Sequence, residues 1–591
     1  MALYASLLSP FTLAGKRLKN RLVHASMTTL MGENARVTDR LIQYHANRAH
    51  GGAALIVTEP LSMAAHQVLP NKVRVWNDDN LDGLKRWADA VESHDCRLLG
   101  QLQDPGRGGH APGKNPAAVG ASYLPDDISW TVPHALSAAE IRRMTSELAE
   151  AAARLQRCGF SGVEISAGHG HMFHQFLSPW SNGRDDEYGG DLPGRARFLV
   201  EVIEALRRTC GDGFIVGVKL PGNDGVKGGV DPGEAARITR HLASGAAPDY
   251  FCFAQGSHAR SLELHVPDGN GPRAPYLPLI RELKRSAGKV PVVALGRITD
   301  PAEADRIVER GDAELVALGR ALVTDPAWLK KASEGRAHDI RYCVSCNSCW
   351  DTTVTTHKPI ACDNNPRVGR PDEVDWHPAP ATVRKRVVVV GAGIAGMEAA
   401  WIAGARGHHV TVYGASSEIG GKTRLRAGLP GGEALSGIYD YQRAQAIKAG
   451  VRFELGLTID AADVIALKPD AVVLATGADM IAPPWLPAEY REAVPDLRSA
   501  MAALRGHAVR QHGTAVIVDT DHTDGTYASA ELLRSIFDRV VVITPREAIA
   551  QDVALVTRQG IQRRFHEKRI GVVTLWSRAS PRASKTACSK R

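Results

Sequence analysis

The sequence predicts an α/β protein: an N-terminal (β/α)8 TIM barrel, a four-cysteine segment, then Rossmann-like FAD/NAD(P)-binding units, the last of them C-terminally incomplete. Three observations predict it. Eight β-rich runs alternate with helix-patterned stretches between residues 21 and 319. Three of the nine cysteines crowd into RYCVSCNSCW, residues 341–350. VVVVGAGIAGMEAA then joins an apolar strand to a glycine fingerprint and the start of a helix.

The strand runs are RLVHAS (21–26), AALIVTE (53–59), RLLGQLQ (97–103), GVEISA (162–167), FIVGVKL (214–220), YFCFAQ (250–255), PVVALG (291–296) and ELVALG (314–319). Between them, stretches such as AAEIRRMTSELAEAAARLQRCG repeat their apolar positions at helical spacing. Alternation of this length closes into a barrel over 1–335, with its site at the C-terminal strand ends. The last two runs end in LGRI and LGRA, which place Gly296, Arg297, Gly319 and Arg320 in matched loops. Free backbone N–H groups there suit a phosphate.

Cys343, Cys346 and Cys349 form C-x2-C-x2-C, and Cys362 follows in CDNNP, so 336–370 reads as a metal-binding segment. Thiols this close cannot all pair as disulfides. Structural zinc sites bring two separated pairs, whereas three ligands on one loop with a distant fourth before a proline suit a 4Fe-4S iron–sulfur cluster. Cys96, Cys158, Cys210 and Cys252 are scattered and read as buried small hydrophobes.

RPDEVDWHPAPATVRK predicts an exposed linker over 371–384. Beyond it Gly391, Gly393 and Gly396 form G-x-G-x-x-G. With VTVYG further on and AVVLATGA at 471–478, they predict a Rossmann-like unit over 385–480. Gly414 stands where such a unit ordinarily places an acid for the adenosine ribose, so FAD or ADP binding is expected to be weakened. A second unit over 481–575 should open with glycines, yet TAVIVDTDHTDGTYASAELL offers Asp519, Asp521 and Asp524, whose charge would repel a pyrophosphate. The tail WSRASPRASKTACSKR (576–591) is basic, Ser/Ala-rich and aperiodic. It predicts disorder, and its abrupt onset reads as a truncated or frame-shifted end.

A chain of 591 residues, 44% hydrophobic and 23% charged, has the balance of a multidomain globular protein. No apolar run is long enough to span a bilayer and the start, MALYASLLSPFTLAGKRLKNR, lacks a secretory pattern, which predicts a cytoplasmic protein without a membrane partner. Five of the eight net positive charges fall in the last 22 residues, so the folded body gives no support to nucleic-acid binding.

SPFTLAGKRLKNR, the GQL of the third run, HQFLSPWSNGRDDEYGGDLPGRARF and GDAELVALGRALVTDP together resemble the old yellow enzyme (NADH:flavin oxidoreductase) family across 1–335. The resemblance implies an FMN-dependent oxidoreductase. It puts the flavin beside Met27 and Thr28, its pyrimidine edge on Gln101 and its N1–C2=O edge by Lys219, with the phosphate on the backbones of Gly296, Arg297, Gly319 and Arg320. A fixed cation at Lys219 would stabilise the negative charge that hydride arrival leaves at N1. With cysteines and Rossmann-like unit added, the chain is similar to the multidomain iron–sulfur branch represented by trimethylamine dehydrogenase and 2,4-dienoyl-CoA reductase, and the cysteine spacing resembles the former. On that resemblance His169, His171 and His258 are the catalytic candidates, imidazoles able to move protons near neutrality. Pro60 and Thr353 fall where the amine dehydrogenase carries aromatic rings for a cation, and no cysteine precedes Cys96 to make its covalent flavin link.

The implied function is oxidation of a small-molecule substrate, an N-methyl or secondary amine, with electrons leaving through the cluster to an electron-transfer protein. The alternative is NAD(P)H-dependent reduction of an enoate or 2,4-dienoyl-CoA. A third reading is a non-catalytic electron-transfer scaffold. A homo-oligomer is compatible with each.

Overall fold

The computed structural model describes residues 3–575 apart from 65, 66, 68, 69, 109–114, 507 and 508; the tail expected to be disordered lies outside the described residues. The chain divides into two compact units, Met1–His377 and Pro378–Arg591.

In the first unit all eight expected runs are strands: β1 (Leu22–His24), β2 (Leu55–Leu61), β3 (Arg97–Leu102), β4 (Gly162–Ser166), β5 (Ile215–Asn223), β6 (Tyr250–Gln255), β7 (Val292–Ala294) and β8 (Leu315–Leu318). Each pairs in parallel with its neighbours in sequence, and β8 with β1, into a closed barrel. The runs are apolar throughout rather than alternating because both faces are covered; every residue of β6 is buried. The covering helices are α1 (Asp39–His50), α2 (Leu81–Glu92), α3 (Ala138–Arg157), α4 (Leu192–Cys210), α5 (Pro232–Gly245), α6 (Leu277–Lys284) and α7 (Pro301–Glu309). Asp191, Asp231 and Asp300 cap α4, α5 and α7, each with a proline in the first turn, and Ser137 with Glu140 makes a capping box on α3. Cys96, Cys158, Cys210 and Cys252 are buried and unbridged, as expected of small hydrophobes.

After the barrel the chain returns to α1. Arg48 and Glu373 form an ion pair at 2.8 Å with both side chains fully buried. Asn47 and Asn365 donate to the same carboxylate at 2.8 and 2.9 Å, and the Gly369 N–H does so at 3.0 Å. Two charges withdrawn from water stabilise a fold only when their remaining hydrogen-bonding capacity is met, and here it is. Asn365 lies three residues beyond Cys362, so this carboxylate ties the loop of the fourth cysteine to the barrel. The exposed linker expected over 371–384 is corrected at its start: Glu373 is buried, and Asp375 pairs with Arg336 at 2.6 Å. Acidic, proline-rich composition resembles a linker whether or not one of its acids is buried against an arginine.

The second unit holds two parallel sheets. One contains β9 (Arg386–Val390), β10 (His409–Gly414), β11 (Arg452–Leu455) and β12 (Ala471–Leu474) in the order β11-β10-β9-β12. The other contains β13 (Gln511–Val518), β14 (Phe537–Ile543) and β15 (Gly571–Val573). Leu474 is 76% exposed and Val516 55%, so both sheets present apolar side chains outward. Among the described residues no helix is long and apolar enough to cross a membrane.

Glu373→Ala would leave Arg48 as an uncompensated buried charge. It should destabilise the first unit by about 3–5 kcal/mol, read as a lowered calorimetric transition. An unmoved transition would show that the pair does not hold the segment.

Candidate active site

The C-terminal ends of the barrel strands open into a cavity of about 920 Å³, a size that suits a cofactor with a small substrate. Its wall brings together Met27 and Thr28 after β1, Gln101 on β3, His169 and His171 after β4, Lys219 on β5 and His258 after β6. Gly296 and Arg297 after β7, Gly319 and Arg320 after β8, and Cys343 complete it. The barrel residues singled out in the sequence therefore share one space.

The floor of the cavity is ionic. Lys219 Nζ lies 2.9 Å from Glu164 Oε1, with the two side chains only 7% and 4% exposed. Glu164 also accepts from Gln101 Nε2 at 2.8 Å and from the Tyr250 hydroxyl at 2.9 Å, and Ser26 Oγ donates to Gln101 Oε1 at 2.8 Å. Strand register produces this set, since Glu164 is paired with Gln101 on one side and Gly217 on the other. A Cβ at Gly217 would stand 2.1 Å from the Tyr250 ring, so the absent side chain lets the phenol reach Glu164. Burial pulls the Lys219 pKa down, but the Glu164 carboxylate and Cys252 more than offset it and the pKa is raised. Lys219 is held as a cation. Burial and then Glu164 push Tyr250 well above its ordinary value, so it stays a donor.

The histidines divide into two pairs. His258 Nε2 lies 3.2 Å from Asp126 Oδ1, both nearly inaccessible, and Asp126 Oδ2 accepts from the Ser129 N–H at 2.7 Å and its hydroxyl at 2.8 Å. Burial opposes ionisation of Asp126, but the bonds from His258 and Ser129 outweigh it and hold the carboxyl well below the usual range. The His171 ring lies parallel to His258, with centroids 6.0 Å apart and planes 5° from parallel. His169, at φ 60°, stacks on His265 at 3.6 Å. Burial first, and then neighbouring positive groups, drive His169 far below its ordinary pKa and His265 to about 3. Both rings are neutral.

Several participants were not legible in the sequence. His265 comes from the four-residue helix Leu262–His265, Asp126 from a loop, and Glu164 from inside a strand. Trp350 and Tyr276 also line the cavity, supplying aromatic rings that Pro60 and Thr353 do not. Only a carboxylate inside an apolar run, GVEIS, was there to be noticed.

Cys349 is buried, Cys346 exposed, and Cys343 and Cys362 intermediate. Burial and then the other three thiols raise Cys349 far above its ordinary value, and burial pushes Cys362 up to about 12. Among the described residues no three His, Cys, Asp or Glu side chains converge on a single metal ion. Asn347 accepts from Arg320 Nη1 and donates to the Val266 carbonyl at 3.1 Å, which ties the cysteine loop to the end of β8.

In the second unit, a Cβ at Gly391 would meet the Ala475 carbonyl oxygen at 2.1 Å and one at Gly396 the Gly391 oxygen at 1.9 Å, whereas Gly393 faces open space. Two glycines serve packing, and the middle one leaves a helix N-terminus open to a ligand. A Cβ at Gly414 would lie 2.9 Å from that of Ala392, so an acid does not fit there. Asp519 accepts from the Tyr527 hydroxyl and the His522 N–H, both at 2.8 Å, and Asp524 pairs with Arg426 at 2.6 Å. These acids are engaged internally.

Because the folded pKa of Asp126 is depressed, its stabilising contribution is present above the unfolded value near ~3.9 and is lost as pH falls through the folded value. Asp126→Asn should therefore be less stable than wild type at about pH 6 and converge with it toward about pH 2. Parallel stability curves would show that the His258–Asp126 pair contributes nothing.

Residues 6–339 match the NADH:flavin oxidoreductase / NADH oxidase family, and residues 389–453 an NAD(P)-binding Rossmann-like domain. The chain is 32% identical over 490 residues to an NADH oxidase of Thermoanaerobacter brockii, covering 82% of this chain and 74% of that one. It is 31% identical over 558 residues to a probable N-methylproline demethylase of Rhizobium meliloti, covering 93% and 80%. A solved 2-naphthoyl-CoA reductase superposes with a TM-score of 0.87 at 26% identity, covering 97% of this chain and 88% of that one. The chain belongs to the NADH:flavin oxidoreductase / NADH oxidase family and is an FMN-dependent oxidoreductase, with a Rossmann-like dinucleotide domain following its barrel.

Proposed function

We propose that the protein is an amine dehydrogenase or demethylase that oxidises an N-methyl or secondary amine and passes electrons from FMN through a 4Fe-4S cluster on Cys343, Cys346, Cys349 and Cys362 to an electron-transfer protein. The observation that carries the relay is Cys343, which lines the barrel-mouth cavity and acts on Cys349 as one of the four thiols. The spacing C-x2-C-x2-C with a distant fourth cysteine suits a cubane better than zinc. A cluster of thiolates also fits a reducing, cytoplasmic compartment. The likeness to a probable N-methylproline demethylase supports the amine side.

Bound FMN supplies an acceptor for the substrate's hydride and a means of releasing electrons singly. Met27, Thr28 and Gln101 would hold its ring, and the backbones of Gly296, Arg297, Gly319 and Arg320 its phosphate. Lys219, kept charged by Glu164, is the cation placed for its pyrimidine edge. His258, backed by Asp126, and the parallel His171 would take and return protons at the substrate nitrogen, while the neutral His169 and His265 form a wall that an amine can approach without repulsion. Trp350 and Tyr276 add aromatic faces. Gly391, Gly393 and Gly396 would accept a pyrophosphate, with FAD or ADP held weakly because Gly414 leaves no room for an acid. NAD(P)H-dependent enoate reduction is the second reading, favoured by the same His171–His258 pair acting as proton donors and by the likeness to 2-naphthoyl-CoA reductase.

Anaerobic stopped-flow separates the two readings. Amines such as sarcosine should bleach the flavin, and His171→Phe should slow that bleaching by about 10²-fold or more at unchanged FMN content. Fast bleaching by NADPH with none by amines would overturn the amine reading.

The cofactor inventory should show near-stoichiometric FMN, iron with acid-labile sulfide, and substoichiometric adenine nucleotide. Cys346→Ala should lose the iron and keep FMN. A folded variant that loses FMN as well would refute separable sites.

A further inference from the structure

Among the described residues, and leaving histidines aside, five cations line the barrel-mouth cavity against one carboxylate, Glu59. Three of the five have an evident task. Lys219 is paired with Glu164. Arg297 and Arg320 lie at the glycine-marked ends of β7 and β8, where they donate to the Gly271 and Pro272 carbonyls and to Asn347. Lys72 has only the field of Asp104 and Glu59, which are bonded to Gly106 and to Thr29 and Leu30, and it is less buried than Arg107.

Arg107 is different. Its side chain stacks on Trp180 at 4.7 Å, and the residue is only 8% exposed. Among the described residues its one side-chain hydrogen bond runs from Nη1 to the Pro125 carbonyl; Nε is buried without an acceptor, and Nη2, which is not fully buried, makes no hydrogen bond. The carboxylates that act on it electrostatically, Asp127 and Asp126, are committed elsewhere: Asp127 to Arg260 at 3.0 Å, Asp126 to His258 and Ser129. A buried guanidinium with an idle N–H costs free energy that an anion would offset, and its planar fork matches a carboxylate. The turn that carries it lies against the proposed proton-transfer group, since a Cβ at Gly108 would stand 2.1 Å from the His258 ring.

We propose that Arg107 binds the carboxylate of the substrate, which makes the substrate an N-methylated amino acid rather than a simple alkylamine. The substrate class rests on the amine reading above; the anion site does not. The unpartnered edge of the guanidinium and the His258 ring then define the two ends of the molecule bound, carboxylate toward Arg107 and amine toward the histidines.

The test is calorimetric titration of the FMN-loaded protein with acid–amide pairs: N,N,N-trimethylglycine against its amide, and crotonate against crotonamide. In wild type each acid should bind about 10- to 100-fold more tightly than its amide. The preference should fall to within about threefold in Arg107→Met and partly return in Arg107→Lys. Equal affinities for acid and amide in wild type, or an unchanged preference in a folded Arg107→Met, would overturn the proposal. Should Arg107→Met fail to fold because the stack on Trp180 is lost, the wild-type comparison still decides. A crotonate preference that depends on Arg107, together with no bleaching by N,N-dimethylglycine, would uphold the anion site and overturn the amino-acid assignment.

Discussion

The barrel mouth is organised around one buried ion pair, Lys219 with Glu164. Removing two such charges from water costs several kcal/mol per ion, and the cost is offset only if geometry and additional hydrogen bonds are nearly complete. Completion here draws on five places around the barrel: β4 and β5 for the pair itself, β3 for Gln101, β6 for Tyr250 and the end of β1 for Ser26. A slip of one residue in any of these strands would turn the corresponding side chain outward into the helix layer. The pair therefore specifies register as well as charge. It also explains a glycine in the middle of a strand, because any side chain at Gly217 would block the Tyr250 hydroxyl from Glu164.

A second buried pair does for the cysteine segment what the first does for the cavity. Arg48 belongs to the helix after β1 and Glu373 to the chain well beyond β8, so their contact closes a long excursion onto the barrel's first repeat. Asn365 joins the same carboxylate, and Asn347 links the three-cysteine loop to Arg320. The cysteines thus have two anchors, one on each side, and both belong to the barrel. This is how Cys343 comes to line the cavity although it follows the last barrel strand.

The eight strands were legible because burial on both faces writes each one as a short continuous apolar run. The intervening helices were legible from apolar positions repeated at helical spacing; the Asp-Pro and Ser-x-x-Glu caps that start α5, α7 and α3 came from the structure. Lys219 and Gln101 were reached through family resemblance, not through their own surroundings. Glu164 was missed because a charged residue inside a strand has meaning only once its partner, 55 positions away in sequence, is in contact with it. Asp126 and Arg107, on loops, and His265, in a four-residue helix too short to show a periodicity, were missed for a related reason: no repeating pattern reports their course. Glu373 was misread because linker composition and a buried acid look alike in one dimension.

The charges around the cavity form a graded arrangement. Lys219, at the floor, is fully paired; Arg297 and Arg320, at the strand ends, are spent on backbone and amide oxygens; Arg107, at the side of His258, keeps an idle edge. The histidines follow the same grading. His258 lies against Asp126, whereas His169 lies against His265 and in the field of Lys219. On the roles proposed above, proton transfer at His171 and His258 and anion binding at Arg107 fall on the same side, with the neutral His169 and His265 opposite, which is the arrangement a zwitterionic substrate requires if its nitrogen is to lose a proton while its carboxylate stays fixed.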